Sequence, residues 1–143
     1  MKILVINGVN MNMLGIREPE KYGNMTLKDL EKELYAYSFE LGIDIETYQS
    51  NHEGEIVEKI QQAKNDADGI VLNAAAYTHT SVAIRDAISA VNLPVVEVHM
   101  TNIHAREDFR QKSLIAPVCI GQISGFGIES YKLALKGLCS YLK

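Results

Sequence analysis

Residues 2–7 read KILVIN, a short apolar segment rich in β-branched side chains. Apolar residues at consecutive positions, rather than at alternate ones, are typical of a strand in a parallel sheet that helices cover on both faces. The segment GIVLN at residues 69–73 shows the same pattern. We therefore predict that residues 2–7 form a central strand and that residues 69–73 form a second buried strand.

Helical and strand patterns alternate along the rest of the chain. Apolar residues at spacings of three and four predict a helix that begins at Thr26, in a capping-box pair with Asp29, and ends at Gly42. The alternation predicts one α/β domain over residues 1–143, a doubly wound sheet of five parallel strands with helices on both faces. The other predicted elements are strands at 44–50, 95–100 and 118–123, and helices at 56–67, after Ser81 and at 128–142.

Composition and charge exclude several functional classes. The chain has 143 residues, of which 47% are hydrophobic, enough for one buried core. Its net charge of −4, from 14 basic and 18 acidic residues, leaves no basic stripe for nucleic acid or anionic lipid, so we expect neither as a partner. No apolar stretch reaches the roughly 20 residues of a membrane span. The N-terminus lacks a signal-peptide pattern and Cys119 and Cys139 lack metal-site spacing, so we expect free thiols and a cytoplasmic location.

Polar residues collect directly after the predicted strands. The carboxyl ends of parallel strands meet at one edge of the sheet, where ligands of doubly wound folds bind. All four histidines of the chain lie in these segments, which predicts a polar site for an oxygen-rich ligand. The candidates after the first four strands are Asn7, Gly8 and Asn10; Ser50, Asn51, His52 and Glu53; Asn73, Tyr77, Thr78, His79 and Thr80; and Glu97, His99, Thr101, Asn102 and His104.

The connection at residues 8–25 is long for a compact domain, where such connections are typically functional lids or disordered segments. Two glycines within residues 15–25 offer hinges around Arg17 and Tyr22, so we predict a lid there, with a solvated loop as the alternative. A phenol has a pKa of about 10, and lowering it by three units requires about 4 kcal/mol. A charge ~4 Å away supplies about that energy at an effective dielectric of ~20, although desolvation opposes it. Arg17 could therefore make Tyr22 a base near neutral pH.

Other chemistries fit the sequence less well. A metal site at His99 and His104 lacks a third ligand at suitable spacing, so neither a metal nor another cofactor is expected. No lysine lies at the predicted strand ends, where a Schiff base would need one. Gly121, Gly125 and Gly127 match neither a dinucleotide nor a P-loop fingerprint, and turn geometry explains them more simply.

Five ordered motifs run along nearly the whole chain, NGVN at 7–10, GIREP with YG at 15–23, QSNHEG at 49–54, AYTHTS at 76–81, and EVH with NIHARE at 97–107. Together they resemble the motifs of the type II 3-dehydroquinate dehydratases. The resemblance implies a flavodoxin-like sheet and a hydro-lyase reaction, the anti elimination of water from 3-dehydroquinate to 3-dehydroshikimate through an enolate. It also implies a place in the shikimate pathway of aromatic amino acid biosynthesis or in quinate breakdown, which share this chemistry.

The resemblance assigns catalytic roles to five residues. Tyr22 corresponds to the general base, and Arg17 to the neighbour that favours its phenolate and stabilises charge in the transition state. Asn10 corresponds to a residue that holds a water against the enolate oxygen. His99 corresponds to the acid that protonates the departing hydroxyl, with Glu97 orienting its ring.

Binding roles and the assembly follow from the same resemblance. Asp86 would reach a substrate bound in a neighbouring subunit, because these enzymes assemble as trimers grouped into dodecamers; an exposed helix aspartate is the alternative interpretation. Arg110 suits a substrate carboxylate because its planar guanidinium can bind such a group with two hydrogen bonds. The residues implied to contact the substrate 3-dehydroquinate are Asn73, His79, Met100, Thr101 and Arg110.

The sequence departs from the family pattern at three places. Val9 stands where proline is usual, Ala74-Ala75 where Pro-Gly is common, and Thr101 where serine is frequent. None of these changes removes a reacting group, but the first two loosen turns beside the site. A second hypothesis is therefore a flavodoxin-like domain that binds a small polyhydroxy carboxylic acid without turning it over.

Overall fold

The computed structural model describes residues 1–16, residue 20 and residues 23–143. Its strands are β1 (Lys2–Asn7), β2 (Asp44–Gln49), β3 (Gly69–Asn73), β4 (Val95–His99) and β5 (Gly121–Ser124). They form a five-stranded sheet in the order β2-β1-β3-β4-β5, and every neighbouring pair is parallel. The five-stranded parallel sheet predicted from the sequence is therefore confirmed.

Helices follow the strands as α1 (Leu27–Leu41), α2 (Glu53–Asp66), α3 (Val82–Val91), α4 (Asp108–Gln111) and α5 (Ile128–Leu142). The short helix α4 was not predicted, whereas the other four follow the predicted alternation. The predicted capping box begins α1, since the Asp29 N–H donates to Thr26 Oγ1 and the Thr26 N–H donates to the Asp29 carboxylate, both at 3.1 Å. Ser81 Oγ accepts the Ile84 N–H at 2.9 Å and so begins α3. Within the described ranges, none of the helices has the length and apolar character needed to cross a bilayer.

Each face of the sheet carries its own apolar core. Ile3 and Val5 of β1 face α1 and α5, whereas Leu4 and Ile6 face α2 and α3. All four side chains are at most 3% exposed, which explains why the β1 segment is apolar at consecutive positions. Burial of one such side chain contributes about 2 kcal/mol relative to an exposed one. Helices therefore cover both faces, as the doubly wound prediction required.

The predicted bounds of the last strand are wrong. We expected a strand at 118–123, but β5 covers Gly121–Ser124, and Ala116–Val118 form a 3-10 turn. Pro117 explains the difference, because proline has no N–H for a strand ladder and is favoured at the start of a helical turn. Val118 is apolar because it packs against the core beneath the turn, not because it belongs to the sheet.

The backbones that leave β1 and β3 approach each other closely. The Gly8 N–H donates to the Asn73 carbonyl at 2.7 Å, and a Cβ atom at Gly8 would lie 2.5 Å from the Ala74 carbonyl oxygen. Only glycine fits at this position. Ala75, which follows Ala74 in the chain, adopts a left-handed conformation with φ of 54°, which is unfavourable for a residue with a side chain.

We expect Ala75→Gly to raise the free energy of unfolding by roughly 0.5–1 kcal/mol. Glycine relieves the strain of the left-handed conformation, and this gain exceeds the loss that comes from the greater conformational entropy of the unfolded chain. Urea unfolding of the two proteins measures the difference. Ala76→Gly is the matched control, since Ala76 is exposed and has a negative φ, and it should lower the same free energy. A loss of stability in both variants would contradict the strain at Ala75.

Candidate active site

A cavity of about 390 Å³ opens at the carboxyl edge of the sheet, where the sequence predicted the site. Its volume is in the range that accommodates small-molecule ligands. The structure brings most of the predicted site residues to its wall. Those that line the cavity are Asn10, Asn73, His79, His99, Met100, Thr101 and Arg110.

The other four predicted site residues fall into two groups. Arg17 and Tyr22 lie outside the described residues, as do positions 18, 19 and 21 of the predicted lid. Asp86 is exposed on α3 and is not among the residues around the cavity. Glu97 lies behind His99 in the buried interior of β4.

His99 and Glu97 form a buried pair at the end of β4. Because they are two residues apart on one strand, their side chains project from the same face of the sheet. The ring Nε2 of His99 lies 2.5 Å from Glu97 Oε2, and a carboxylate can only accept, so Nε2 carries the proton. Nδ1 of His99 is therefore the ring nitrogen that remains for a ligand in the cavity. His99 as a whole is 6% exposed.

Glu97 is a fully buried carboxylate that three donors stabilise. Besides His99, Ser113 Oγ donates to Oε1 at 2.8 Å and Gln122 Nε2 donates to Oε2 at 3.0 Å. Burial by itself raises the pKa of Glu97, but the hydrogen bond and charge of His99, with those from Gln122 and Ser113, outweigh it and hold this pKa below the ordinary value of 4.5. Glu97 is therefore ionised at neutral pH.

The ring of His79 lies beside that of His99. The two ring centroids are 6.5 Å apart and the planes differ by 19°. His79 Nδ1 donates to the Lys112 carbonyl at 2.8 Å, because a carbonyl oxygen can only accept. Nε2 is then the ring nitrogen of His79 that remains for a ligand.

Positive charge also lines the cavity. Arg106 and Arg110 both reach its wall. The Arg110 Nε atom donates to Glu107 Oε2 at 2.9 Å, which holds the guanidinium in place while its side chain stays 28% exposed. A guanidinium held in this way suits a carboxylate ligand.

Asn10 is held at the cavity by its backbone. It adopts a left-handed conformation with φ of 68°, which asparagine tolerates better than most residues. Its N–H donates to Asn51 Oδ1 at 2.9 Å, and Gln49 Nε2 donates to the same oxygen at 3.1 Å. The Asn10 side chain thereby remains available to the cavity.

Several residues of the site were missed by sequence reasoning. Ser113 and Gln122 hold Glu97 from 16 and 25 residues away, a separation at which spacing carries no signal. Tyr131 on α5 binds Asn73 from beneath the cavity. Arg106 lies in the NIHARE motif and lines the cavity, but the sequence predicted no role for it.

The residues of the alternative metal site, and the two cysteines, have defined positions in the structure. His104 is exposed on a 3-10 turn, apart from the cavity wall that His99 lines. Among residues 1–16, 20 and 23–143, no three His, Cys, Asp or Glu side chains are grouped to hold a metal ion. Both cysteines are free thiols, as predicted, and burial together with the charge of Glu97 raises the pKa of Cys119 to about 12.

Comparison with known proteins identifies the family of the chain. The family model for dehydroquinase class II matches residues 1–139. A 3-dehydroquinate dehydratase of Nitratiruptor sp. is 61% identical over 135 residues, covering 94% of this chain and 86% of the relative. One from Geotalea daltonii is 57% identical over 143 residues, covering 100% of this chain and 99% of the relative. The crystal structure of type II dehydroquinase from Butyrivibrio crossotus superposes with a TM-score of 0.95 at 50% identity and covers 97% of both chains.

These matches extend over nearly the full length of both partners and agree with the fold described above. They confirm the resemblance predicted from the five motifs. The chain belongs to the dehydroquinase class II family.

Proposed function

We propose that this chain is a 3-dehydroquinate dehydratase, a hydro-lyase that removes water from 3-dehydroquinate to give 3-dehydroshikimate. Family membership supports the reaction. The observation that carries the proposal in the structure is His99, which is held by the buried Glu97 and lines a cavity that Arg110 also lines. An acid and a carboxylate-binding group at one cavity are what the elimination of water from a hydroxy acid requires.

The proposed first step is the removal of a proton from the carbon next to the substrate ketone. Tyr22 is the proposed base, and Arg17 favours its phenolate and stabilises the developing charge. Both assignments rest on the sequence motif, since these residues lie outside the described ones. The product of the step is an enolate, and Asn10 would hold a water against its oxygen.

The proposed second step is the loss of the hydroxyl group as water. His99 donates a proton from Nδ1 to the leaving oxygen, on the face of the ligand opposite Tyr22, which gives the anti stereochemistry. The ionised Glu97 accepts from Nε2 and stabilises the imidazolium form that donates the proton. The reaction then needs neither a metal nor an electron sink.

The remaining wall residues would bind the substrate. The guanidinium of Arg110 binds the substrate carboxylate, with the backbone of Met100 and the hydroxyl of Thr101 beside it. Asn73 and His79 meet the ring oxygens. We propose that residues 15–25 close over this substrate as a lid, and that residues 1–143 form a single catalytic domain. We also propose that the enzyme works in the cytoplasm, because the reducing conditions there suit its free thiols.

We also propose that the active enzyme is an oligomer in which Asp86 completes the site of a neighbouring subunit, within trimers grouped into dodecamers. Asp86 is exposed on α3 and is absent from the described cavity wall of its own chain. An exposed carboxylate in that position is open to a ligand bound across an interface.

The protein should convert 3-dehydroquinate to a conjugated product, seen as a rise in ultraviolet absorbance. We expect Tyr22→Phe to lower kcat by about 10²- to 10⁴-fold with little change in KM, because it removes the base and keeps the ring. Tyr141→Phe is the matched control, since Tyr141 is 63% exposed on α5, and it should keep full activity.

The same assay separates the proposed enzyme from a domain that only binds a polyhydroxy acid. A binding domain would show no absorbance change with the native chain and would bind equally well after Tyr22→Phe. Chelators should leave the rate unchanged, and borohydride added with substrate should not inactivate the enzyme. Capture of a lysine adduct by borohydride would contradict the enolate mechanism.

Glu97→Gln should lower kcat about tenfold or more, since the neutral amide stabilises the His99 imidazolium less well.

Glu97→Gln should also change the pH dependence of stability. Because folding lowers the Glu97 pKa below 4.5, its stabilisation is present above pH 4.5 and disappears as the pH falls through the folded-state value. The native protein should therefore exceed the variant in unfolding free energy by roughly 2 kcal/mol at pH 7, and by much less at an acidic pH below the folded-state pKa of Glu97. Equal differences at both pH values in urea titrations would contradict the role of this charge.

Asp86→Ala and Tyr22→Phe should each be nearly inactive, but a mixture refolded together should recover activity. An intact site needs Tyr22 from its own chain and Asp86 from a neighbouring chain. In an equal mixture half of the chains keep Tyr22 and half of their neighbours keep Asp86, so about a quarter of native activity is expected. The control is each variant refolded alone. A mixture no more active than its components would place Asp86 in its own chain's site or outside catalysis.

A further inference from the structure

A chain of hydrogen bonds among three buried side chains lies beneath the cavity. Tyr131 of α5 donates its phenolic proton to Asn7 Oδ1. Asn73 Nδ2 donates to the Tyr131 oxygen at 2.8 Å. Asn7 and Tyr131 are fully buried and Asn73 is 4% exposed, so water does not compete for these bonds.

The direction of this chain is fixed by a backbone group. The Ala75 N–H lies 3.0 Å from Asn73 Oδ1, and a backbone N–H can only donate. Oδ1 of Asn73 is therefore the acceptor, and Nδ2 must face Tyr131. The Tyr131 oxygen then accepts, so its single proton goes to Asn7.

The phenol keeps that proton under all ordinary conditions. Burial raises the pKa of Tyr131, and the hydrogen bond from Asn73 only partly offsets this. The neutral hydroxyl group thus acts as an acceptor toward Asn73 and a donor toward Asn7.

One polar contact of Asn73 remains weak. Its Nδ2 atom also lies 3.7 Å from the Sδ atom of Met11, and both residues line the cavity. A thioether is a poor acceptor compared with an oxygen atom. A ligand oxygen at this place would replace a weak hydrogen bond with a strong one.

We propose that Tyr131 is a positioning residue, which holds the Asn73 amide so that it presents an N–H donor to the ligand. The substrate group that meets Asn73 is then an acceptor, a hydroxyl or carbonyl oxygen. This inference rests on the proposed dehydratase function. It adds a residue from α5 that does not touch the cavity itself.

The hydroxyl group of Tyr131 can be separated from the packing of its ring. The ring belongs to the core between α1, α5 and the sheet. Phenylalanine would fill the same space and remove only the oxygen. Asn73 would then keep its bond from Ala75 but lose the partner of Nδ2, so its amide would be less firmly held.

The test is Tyr131→Phe, assayed with 3-dehydroquinate by product absorbance. We expect KM to rise about tenfold, the effect of one loosened hydrogen bond, while kcat changes much less. Tyr35→Phe is the matched control, because its hydroxyl also joins a helix to the sheet, at 3.3 Å from Thr47, and neither of these residues lines the cavity. It should change KM little.

A double-mutant cycle shows whether Tyr131 acts through Asn73. In an Asn73→Ala background, Tyr131→Phe should raise KM no further, since the amide it positions is gone. An unchanged KM in Tyr131→Phe, or an equal rise with and without Asn73, would overturn the inference. If Tyr131→Phe does not fold, Asn7→Leu removes the acceptor of the phenolic proton at nearly constant shape and should raise KM in the same direction; an unchanged KM in this variant would likewise overturn it. Failure of the native chain to dehydrate 3-dehydroquinate would instead refute the proposed function.

Discussion

The contact between the backbone at Gly8 and the carbonyl of Ala74 brings together two loops that leave the sheet in different directions. β1 and β3 are neighbours in the sheet, but α1 follows β1 on one face and α3 follows β3 on the other. The crevice between two such loops is where doubly wound folds bind ligands. Because a side chain at Gly8 would collide with Ala74, the two loops can approach only if this residue is glycine. The approach places Asn10 and Asn73 at one cavity.

A buried charge is the second constraint on the site. The three central strands β1, β3 and β4 are mostly apolar, yet Glu97 occupies a fully buried position on β4. An isolated carboxylate there would be strongly destabilising, and three donors from separate parts of the chain offset its desolvation. The same arrangement keeps a negative charge next to His99 without exposing it to the substrate. A charge that water cannot reach acts more strongly on the ring.

The sequence predicted the fold well where the periodicity of apolar residues was the deciding signal. β1 and α1 have nearly the bounds expected, because burial on both faces and a capping box leave clear patterns. β5 was misplaced because the apolar Val118 belongs to a turn that Pro117 begins, and an edge strand needs little apolar sequence of its own. Local patterns cannot distinguish an apolar residue in a turn from one in a strand.

The site was predictable where its residues follow strands, and it was not where they come from distant segments. His99, Asn73 and Asn10 were found because strand ends meet at one edge. Ser113, Gln122 and Tyr131 were missed because their contacts depend on the packing of whole elements. Arg17 and Tyr22 remain predictions from a motif. One consequence concerns β5, a short edge strand that carries Gln122. Edge strands open more readily than central ones, and each local opening of β5 would release the Gln122 donor from Glu97, so the persistence of the His99–Glu97 pair depends on local stability at the margin of the sheet.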